Sequence, residues 1–178
     1  MGYCSTILFY NHPDIYSYRL PEWAAQIAPD LVQVLNKKYN KDPDNTNLVQ
    51  SLVVKGAETT KMDVFAKTHL FNDDLWAGAV APVYGSLEVE SWIRGYEIGT
   101  VCESLYPVYD AKEVKIGGSN EFKSSKDHSK YGRTLDANNK VVCIGDINRT
   151  TSQCKRGGGA VCITDDELWM AYDTIKEV

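Results

Sequence analysis

The segment KDHSKYGRTLDANNKVVCIGDINRTTSQCKRGGGAVC, residues 126–162, is the stretch around which this 178-residue chain is organised. Its apolar, β-branched run from Lys140 to Ile147 predicts a buried strand, and a second, shorter strand is predicted from Ala160 to Ile163. Earlier in the segment, His128 stands two residues before Lys130. An extended backbone puts residues at that spacing on the same side of the chain. The segment therefore joins two predicted strands to a histidine–lysine pair.

The histidine–lysine pair suits chemistry at phosphorus. An imidazole can attack phosphorus or transfer a proton near neutral or mildly acidic pH. The Lys130 ammonium can hold phosphate oxygens, and Asn148, at the end of a strand, can donate a hydrogen bond without adding charge. We therefore predict His128, Lys130 and Asn148 as catalytic residues of a metal-free site, with Ser129, Arg149 and Arg156 as phosphate contacts. An H-x-K tripeptide alone is a weak signal.

Charge is distributed unevenly along the chain. The total is −5, but residues 121–160 carry eight basic and four acidic side chains and the remainder is strongly acidic. A basic patch on an acidic body can bind a polyanion through local charge. With ordinary pKa values, the whole chain reaches a net charge of about +5 near pH 4.5. Polyanion binding is therefore expected to strengthen in acid, although a solvated basic loop is the plainer interpretation of the patch by itself.

The five cysteines include no C-x-x-C pair, which argues against a zinc ribbon or a thioredoxin-type motif. Cys143 and Cys162 flank the glycine-rich run, and a disulfide between them would clamp that loop. Such a bond suits an oxidising compartment. The odd number of cysteines leaves at least one thiol free or paired between chains.

Hydrophobic periodicity predicts one α/β domain over residues 1–178, with a mixed sheet and flanking helices. No internal repeat or linker interrupts the chain. Predicted strands are Ser5–Tyr10, Leu48–Val54, Met62–Thr68, Leu87–Trp92 and Thr100–Tyr109, besides the two already named. Helices are predicted near Trp23, at Asp30–Lys38, at Asp74–Tyr84 with Asp73 as its cap, and after Thr164, where Glu167 would complete a capping box. A long loop starting at Ile116 is expected to deliver His128.

The amino terminus shows neither a basic start nor the apolar core of a signal peptide. No apolar run is long enough to cross a bilayer. A start that lies inside a longer, secreted or lysosomal precursor is the favoured interpretation. Met1-Gly2 followed by Thr6, with Cys4 nearby, also fits a lipidation pattern, which leaves a membrane-anchored signalling module as a further alternative.

Several short motifs in the same order resemble the type II deoxyribonuclease family, the acid DNases and plancitoxins. They are DHSKY (127–131), CIGDINR (143–149), RGGGAVC (156–162) and LW (168–169), preceded by YSYRL (16–20), VFAK (64–67), DDLWAG (73–78) and VESW (89–92). The resemblance covers nearly the whole chain and matches the C-terminal half of the family's proteins.

The resemblance implies a phospholipase D-like fold and metal-independent hydrolysis of DNA, without a cofactor, through a phospho-histidine intermediate to 3′-phosphate ends. By position, His128 is the catalytic histidine, Lys130 the phosphate-binding lysine and Asn148 the asparagine of the superfamily. Cys143 and Cys162 match a family disulfide. The superfamily's aspartate after the lysine has no clear counterpart, because Asp136 is offset.

Family members are about twice this length and carry an earlier H-x-K motif, which this chain lacks. A two-fold homodimer would restore the second histidine by symmetry. Cys102 and Cys154 could then form an intramolecular disulfide, or Cys4 or Cys154 could link two chains. The alternative is a protein that kept the fold but lost half the site and acts by binding DNA or a host partner.

Overall fold

The computed structural model describes residues 2–54, 56–93 and 95–178. Its strands are β1 (Asn47–Val54), β2 (Ala57–Lys67), β3 (Leu87–Ser91), β4 (Val108–Asp110), β5 (Glu113–Ile116), β6 (Asn120–Lys123), β7 (Lys130–Thr134), β8 (Val141–Gly145), β9 (Gly158–Thr164) and β10 (Ile175–Glu177). Its α-helices are α1 (Gly2–Asn11), α2 (Ala24–Ile27), α3 (Pro29–Leu35), α4 (Ala81–Tyr84), α5 (Thr151–Cys154) and α6 (Asp166–Ala171). A π-helical turn, Trp76–Val80, leads into α4. No helix in these three ranges has the length and apolar character needed to span a bilayer.

Seven strands form the main sheet in the order β1-β2-β9-β8-β7-β3-β4, and β10-β5-β6 form a smaller one. Strand pairs of the main sheet are antiparallel except β3 and β4, which run parallel. The prediction of an α/β fold with a mixed sheet is confirmed. The two strands predicted in the opening segment, β8 and β9, lie in the middle of that sheet, next to β7, which belongs to the same segment.

The π-helical turn before α4 packs its tryptophan onto one face of the main sheet. Trp76 is fully buried there in a core that also contains Phe65 of β2 and Val89 of β3. Gly132 on β7 and Gly145 on β8 lie directly under the indole ring, where a Cβ at either position would come within 2.9 Å of the ring. Glycine at both positions therefore lets a large aromatic ring lie against the sheet.

The opposite face of the sheet is covered at its two ends and open between them. Helix α1 packs against Val64 and Ala66 at one end. At the other, the smaller sheet covers Tyr131 of β7. Ile144 of β8, which pairs with Tyr131, is 44% exposed although its strand is central. The gap leaves an open groove on the sheet, and His128 lies at its edge.

Several sequence-based assignments were wrong. Ser5–Tyr10 was predicted as a strand, but these residues belong to α1, because a short apolar run fits a buried helix equally well. Within Thr100–Tyr109, only the last two residues enter a strand, β4. The cap of α6 is Asp165 rather than Thr164, since the Asp165 carboxylate accepts the hydrogen bond from the Leu168 amide.

The region predicted as a long loop after Ile116 is a hairpin. Strands β5 and β6 pair around a turn at Gly117 and Gly118, both of which have positive φ. At the helix predicted from Asp74, the side chain that caps the first turn is Asp74, which accepts from the Ala77 amide, rather than Asp73. The hairpin and the short turn Ser124–Lys126 together position the chain just before His128.

Candidate functional site

His128 lies on the surface, between the turn Ser124–Lys126 and the start of β7. Its imidazole is exposed and stacks on the indole of Trp92, with ring centroids 3.8 Å apart and planes inclined by 26°. Trp92 directly follows β3, and its Nε1–H donates to the Ser125 carbonyl at 3.2 Å. Stacked rings attract each other by about 0.5–1.5 kcal/mol, which restricts the orientation of the imidazole. Trp92 is thus a site residue to which the sequence analysis assigned no role.

Lys130 and Ser129 are held close to His128 by short-range hydrogen bonds. The Lys130 ammonium donates to the His128 carbonyl at 2.8 Å. The Asp127 carboxylate accepts from the Ser129 amide at 2.9 Å and from the Ser129 hydroxyl at 2.6 Å. Because this partner of Lys130 is a neutral carbonyl, the charge of the ammonium remains available to an anion. The structure brings His128, Ser129 and Lys130 together, as the motif suggested.

These residues border a cleft of about 460 Å³, called here the His128 cleft. Its lining residues are His128, Ser129, Lys130, Tyr131, Ile144, Gly145, Asp146 and Tyr172. The floor is the open part of the sheet at the end of β8. Asp146 forms the far side, where its carboxylate accepts from the Gly159 amide at 2.7 Å. The cleft thus has an imidazole, an ammonium and a carboxylate among its lining groups, in an open groove that an extended anion could enter.

Asn148 and Arg156, the other predicted residues near β8 and β9, lie in different surroundings. Asn148 is half-buried, and its Oδ1 is enclosed by protein with no hydrogen-bond partner among the described residues. Arg156 is exposed, with Nη1 3.5 Å from the Gln153 Oε1. Arg156 is therefore accessible to a phosphate, whereas Asn148 would have to act from a partly enclosed position.

Arg149 is an interior residue and not a surface contact, which corrects the sequence-based assignment. Its side chain is fully buried and forms ion pairs with Asp74 at 2.9 Å and with Asp110 at 2.6 Å. Its amide donates to the Ser91 hydroxyl at 3.0 Å. The guanidinium joins Asp74, just before the π-helical turn, to Asp110 on β4, and the backbone amide of Arg149 adds the contact with the end of β3. It is therefore not accessible to DNA in this structure.

Other basic side chains of residues 121–160 are also used internally. Arg133 is buried and pairs with Glu88 and, at 3.1 Å, with Asp173. Lys140 pairs with Asp166 at 2.6 Å. The charges left at the surface include Lys123, Lys126, Lys130, Lys155 and Arg156. The basic patch is consequently smaller than the sequence count suggested, and of these five side chains Lys130 lines the His128 cleft.

The comparisons with known proteins agree on one family. The Deoxyribonuclease II family model matches residues 3–177. The chain belongs to the deoxyribonuclease II family. It is 40% identical over 171 residues to Deoxyribonuclease-2 of Caenorhabditis elegans, covering 96% of this chain and 45% of that protein. It is 36% identical to Plancitoxin-1 of Acanthaster planci, covering 96% and 48%, and 30% identical to Deoxyribonuclease-2-alpha of Mus musculus, covering 94% and 47%.

This deoxyribonuclease II-family chain spans about half the length of the relatives it matches. The sequence contains one H-x-K motif, His128–Lys130. The remaining features concern what holds that site in place. They are a disulfide, a buried lysine and a buried glutamate.

The predicted disulfide between Cys143 and Cys162 is present. It joins directly paired residues of β8 and β9 and lies in the main core. Of the alternatives for the other cysteines, the Cys102–Cys154 bond does not form, because both thiols are free, with Cys102 exposed and Cys154 half-buried. The Cys4 side chain lies outside what the structure describes. The disulfide thus ties β9 to β8, the central strand that lines the His128 cleft.

Lys67, at the end of β2, stabilises the chain between α5 and β9. It is fully buried, and its ammonium donates to the carbonyls of Gln153, Cys154 and Arg156 at 3.3, 2.8 and 2.7 Å. Burial lowers the pKa of this lysine. Carbonyls at a helix end attract a cation, which accounts for the position. The VFAK motif marked Lys67 as a family residue, but the sequence gave no sign of its role.

Glu90 is a buried carboxyl group on β3, paired across the sheet with Tyr131. It is fully buried, and neither carboxylate oxygen has a hydrogen-bond partner among the described residues. Burial, assisted by the negative charges of Asp127 and Asp110, raises the pKa of Glu90 from 4.5 to about 8. The folded protein therefore keeps this group neutral in mild acid and at neutral pH.

Replacing Glu90 with glutamine should make stability less sensitive to pH. Unfolded Glu90 loses its proton near pH 4.5, whereas the folded form keeps it up to about pH 8. Between these values wild-type stability should fall as pH rises, by up to about 1.4 kcal/mol per pH unit. Glu90→Gln cannot ionise and should be more stable than wild type at pH 7, by roughly 1–3 kcal/mol, with little difference at pH 4.

Urea unfolding of both proteins at a series of pH values measures this effect. Glu103→Gln, at an exposed carboxylate, serves as the control and should follow the wild-type curve. A Glu90→Gln protein with the same pH dependence as wild type would show that Glu90 does not retain its proton in the fold.

Proposed function

We propose that this chain is a metal-independent endodeoxyribonuclease that works best in acid and hydrolyses DNA at His128. The observation that carries the proposal is the exposed, stacked imidazole of His128 beside the Lys130 ammonium, in a chain of the deoxyribonuclease II family. Lys130 would neutralise charge that builds up on the phosphate. Ser129 and Arg156 are exposed and would make further contacts with the phosphates.

The proposed chemistry proceeds in two steps, the formation of a phospho-histidine and its hydrolysis. An imidazole nitrogen attacks phosphorus, the P–O5′ bond breaks, and the departing oxygen takes a proton from a second acid to leave a 5′-hydroxyl end. Water then gives a proton to that second group, which now acts as a base, and attacks the phospho-histidine; the P–N bond breaks, the imidazole is released, and the DNA leaves with a 3′-phosphate end. Both steps need groups on opposite sides of phosphorus. His128 supplies one of these groups.

The second acid is proposed to come from a second copy of the chain. The His128 cleft is open, and Ile144 on its floor is 44% exposed although β8 is a central strand. An exposed apolar side chain at that position suits an interface. A two-fold homodimer would bring two His128 side chains to one phosphate. In a longer protein, the other half of the chain would occupy the same place.

The disulfide, together with the acid optimum proposed above, supports an oxidising, acidic location for this protein. A bond between Cys143 and Cys162 persists where thiols are not kept reduced. We therefore propose a secreted or lysosomal protein. The thiols of Cys102 and Cys154 are both free. Cys154 therefore remains available for an intermolecular disulfide, one of the possibilities left by the odd number of cysteines.

A plasmid assay tests the activity. The purified chain should convert supercoiled DNA to nicked and linear forms at about pH 5 in the presence of EDTA. The new 3′ ends should resist extension by a polymerase until a 3′-phosphatase has treated them. Light scattering after gel filtration should give the mass of a dimer, with and without reductant as a test of a disulfide link.

Two outcomes would overturn parts of this proposal. Protein that retards DNA in acid but leaves it intact would establish a DNA-binding protein with an incomplete site. An active protein that is strictly monomeric would refute the shared site and require a second acid within the same chain. Asp146, on the far side of the cleft, would then be the first group to test.

A further inference from the structure

A second cleft, called here the aromatic cleft, adjoins the His128 cleft. It has a volume of about 330 Å³, and Ser129, Tyr131 and Tyr172 line both clefts. Ile116 at the end of β5 and Phe122 on β6 complete its apolar walls. The two clefts are therefore neighbouring parts of one surface depression, separated by the residues that they share.

The walls of the aromatic cleft are held in place by structure and not by a loose loop. The Tyr131 and Tyr172 rings meet edge to face, with centroids 5.0 Å apart. The Tyr131 hydroxyl forms a hydrogen bond with the Thr174 hydroxyl at 2.7 Å. Ile116 is nevertheless 48% exposed at the rim. An ordered apolar cleft with a few polar groups at its edge is the usual form of a small-molecule binding site.

We propose that the aromatic cleft binds a nucleobase of the DNA strand whose phosphate occupies the His128 cleft. The inference rests on the proposed function and specifies its substrate further. A nucleotide is anionic at the phosphate and neutral and planar at the base. The two clefts match these two parts of a nucleotide, because one is lined by an imidazole and an ammonium and the next by apolar rings. Continuity between the clefts therefore selects the base as the occupant.

The charged group at the edge of the aromatic cleft supports this choice. Asp127 lines it, and a carboxylate there disfavours a second phosphate. Each Asp127 oxygen already accepts one hydrogen bond from Ser129 and has a further lone pair for a base amino or imino group. A base that enters must leave its stack, so we expect unpaired or distorted DNA to be preferred at this nucleotide.

A binding experiment without cleavage tests the proposal. The protein carries His128→Ala, so that the DNA stays intact, and binds either a short single-stranded oligonucleotide or an oligomer of the same length made only of abasic nucleotides. The base-containing strand should bind about 5- to 100-fold more tightly, which corresponds to stacking of one base on aromatic side chains. Phe122→Ala and, separately, Ile116→Glu should remove most of this difference.

Leu105→Ala, at a leucine that is 84% exposed, is the matched control and should keep the difference. Phe122→Ala could disturb the β5–β6 hairpin, whereas Ile116→Glu changes a residue at the rim of the cleft. The second variant therefore tests the cleft without that disturbance, and circular dichroism checks that both variants are folded. Equal affinity for the two oligomers, or a preference that survives both variants, would overturn the base site. Base-dependent binding by a wild-type chain that cleaves no DNA would instead refute the nuclease proposal and leave the base site standing.

Discussion

His128→Ala should lower DNA cleavage on the order of 10⁴-fold, the scale typical of losing a nucleophile or an essential proton carrier. The imidazole is exposed, and its described contact is the stack on Trp92, so the fold should hardly change. Initial rates of plasmid nicking in acid, with unfolding curves for both proteins, would separate lost chemistry from lost structure. Wild-type activity in His128→Ala would place the chemistry elsewhere.

His69→Ala provides the matched control, because His69 is an exposed histidine in the turn His69–Phe71 and does not line the His128 cleft. Its activity should equal that of wild type. Mixing adds a test of the shared site. If two copies build one centre, an excess of His128→Ala chains should suppress wild-type activity by forming mixed dimers. Activity that stays proportional to the amount of wild type would show that each chain works alone.

Arg149→Met should destabilise the protein by about 3–5 kcal/mol, as expected when one partner of a buried ion pair is removed. Methionine fills similar space but leaves the Asp74 and Asp110 carboxylates without their counterion. Burial already raises the pKa of Asp110, and the charge of Arg149 works against that rise. Without the guanidinium the carboxyl should be easier to protonate. The loss of stability should therefore be larger at pH 7 than at pH 4.5.

Urea unfolding at both pH values measures this difference. Arg156→Met removes an exposed arginine and should change stability by less than about 0.5 kcal/mol, so it controls for the substitution itself. Arg149→Lys should lie between wild type and Arg149→Met, because a single ammonium lacks the planar fork that reaches two carboxylates. A fully stable Arg149→Met protein would mean that the two aspartates do not depend on this arginine.

Much of the main sheet could be predicted because the local sequence of several strands has a recognisable strand pattern. Leu87–Trp92 alternates, and Lys140–Ile147 is apolar and β-branched, so β3 and β8 were found close to their actual bounds. The run Ser5–Tyr10 has no such periodicity, and in the structure it belongs to α1, which packs against β2. The β5–β6 hairpin was missed although Gly117-Gly118 between polar–apolar runs is a turn signal.

At the site, local spacing predicted which residues lie together but not what surrounds them. His128, Ser129 and Lys130 are neighbours in sequence, and the structure keeps them together at one cleft. Trp92 and His128 are 36 residues apart in sequence, and the pairing of β3 with β7 brings them together. No short motif encodes such a contact. Arg149 looked like a surface charge because its partners, Asp74 and Asp110, lie far along the chain.

The disulfide between β8 and β9 also bears on survival among proteases. The exposed residues Lys155 and Arg156 offer a cutting site on the segment between the two cysteines. A cut there would divide the backbone, yet Cys143 and Cys162 would still hold the two pieces in one covalent unit. Strand pairing on both sides, and the Lys67 hydrogen bonds near the cut, would favour retention of the cleft. A molecule cut at this position would thus keep its fold and its cleft.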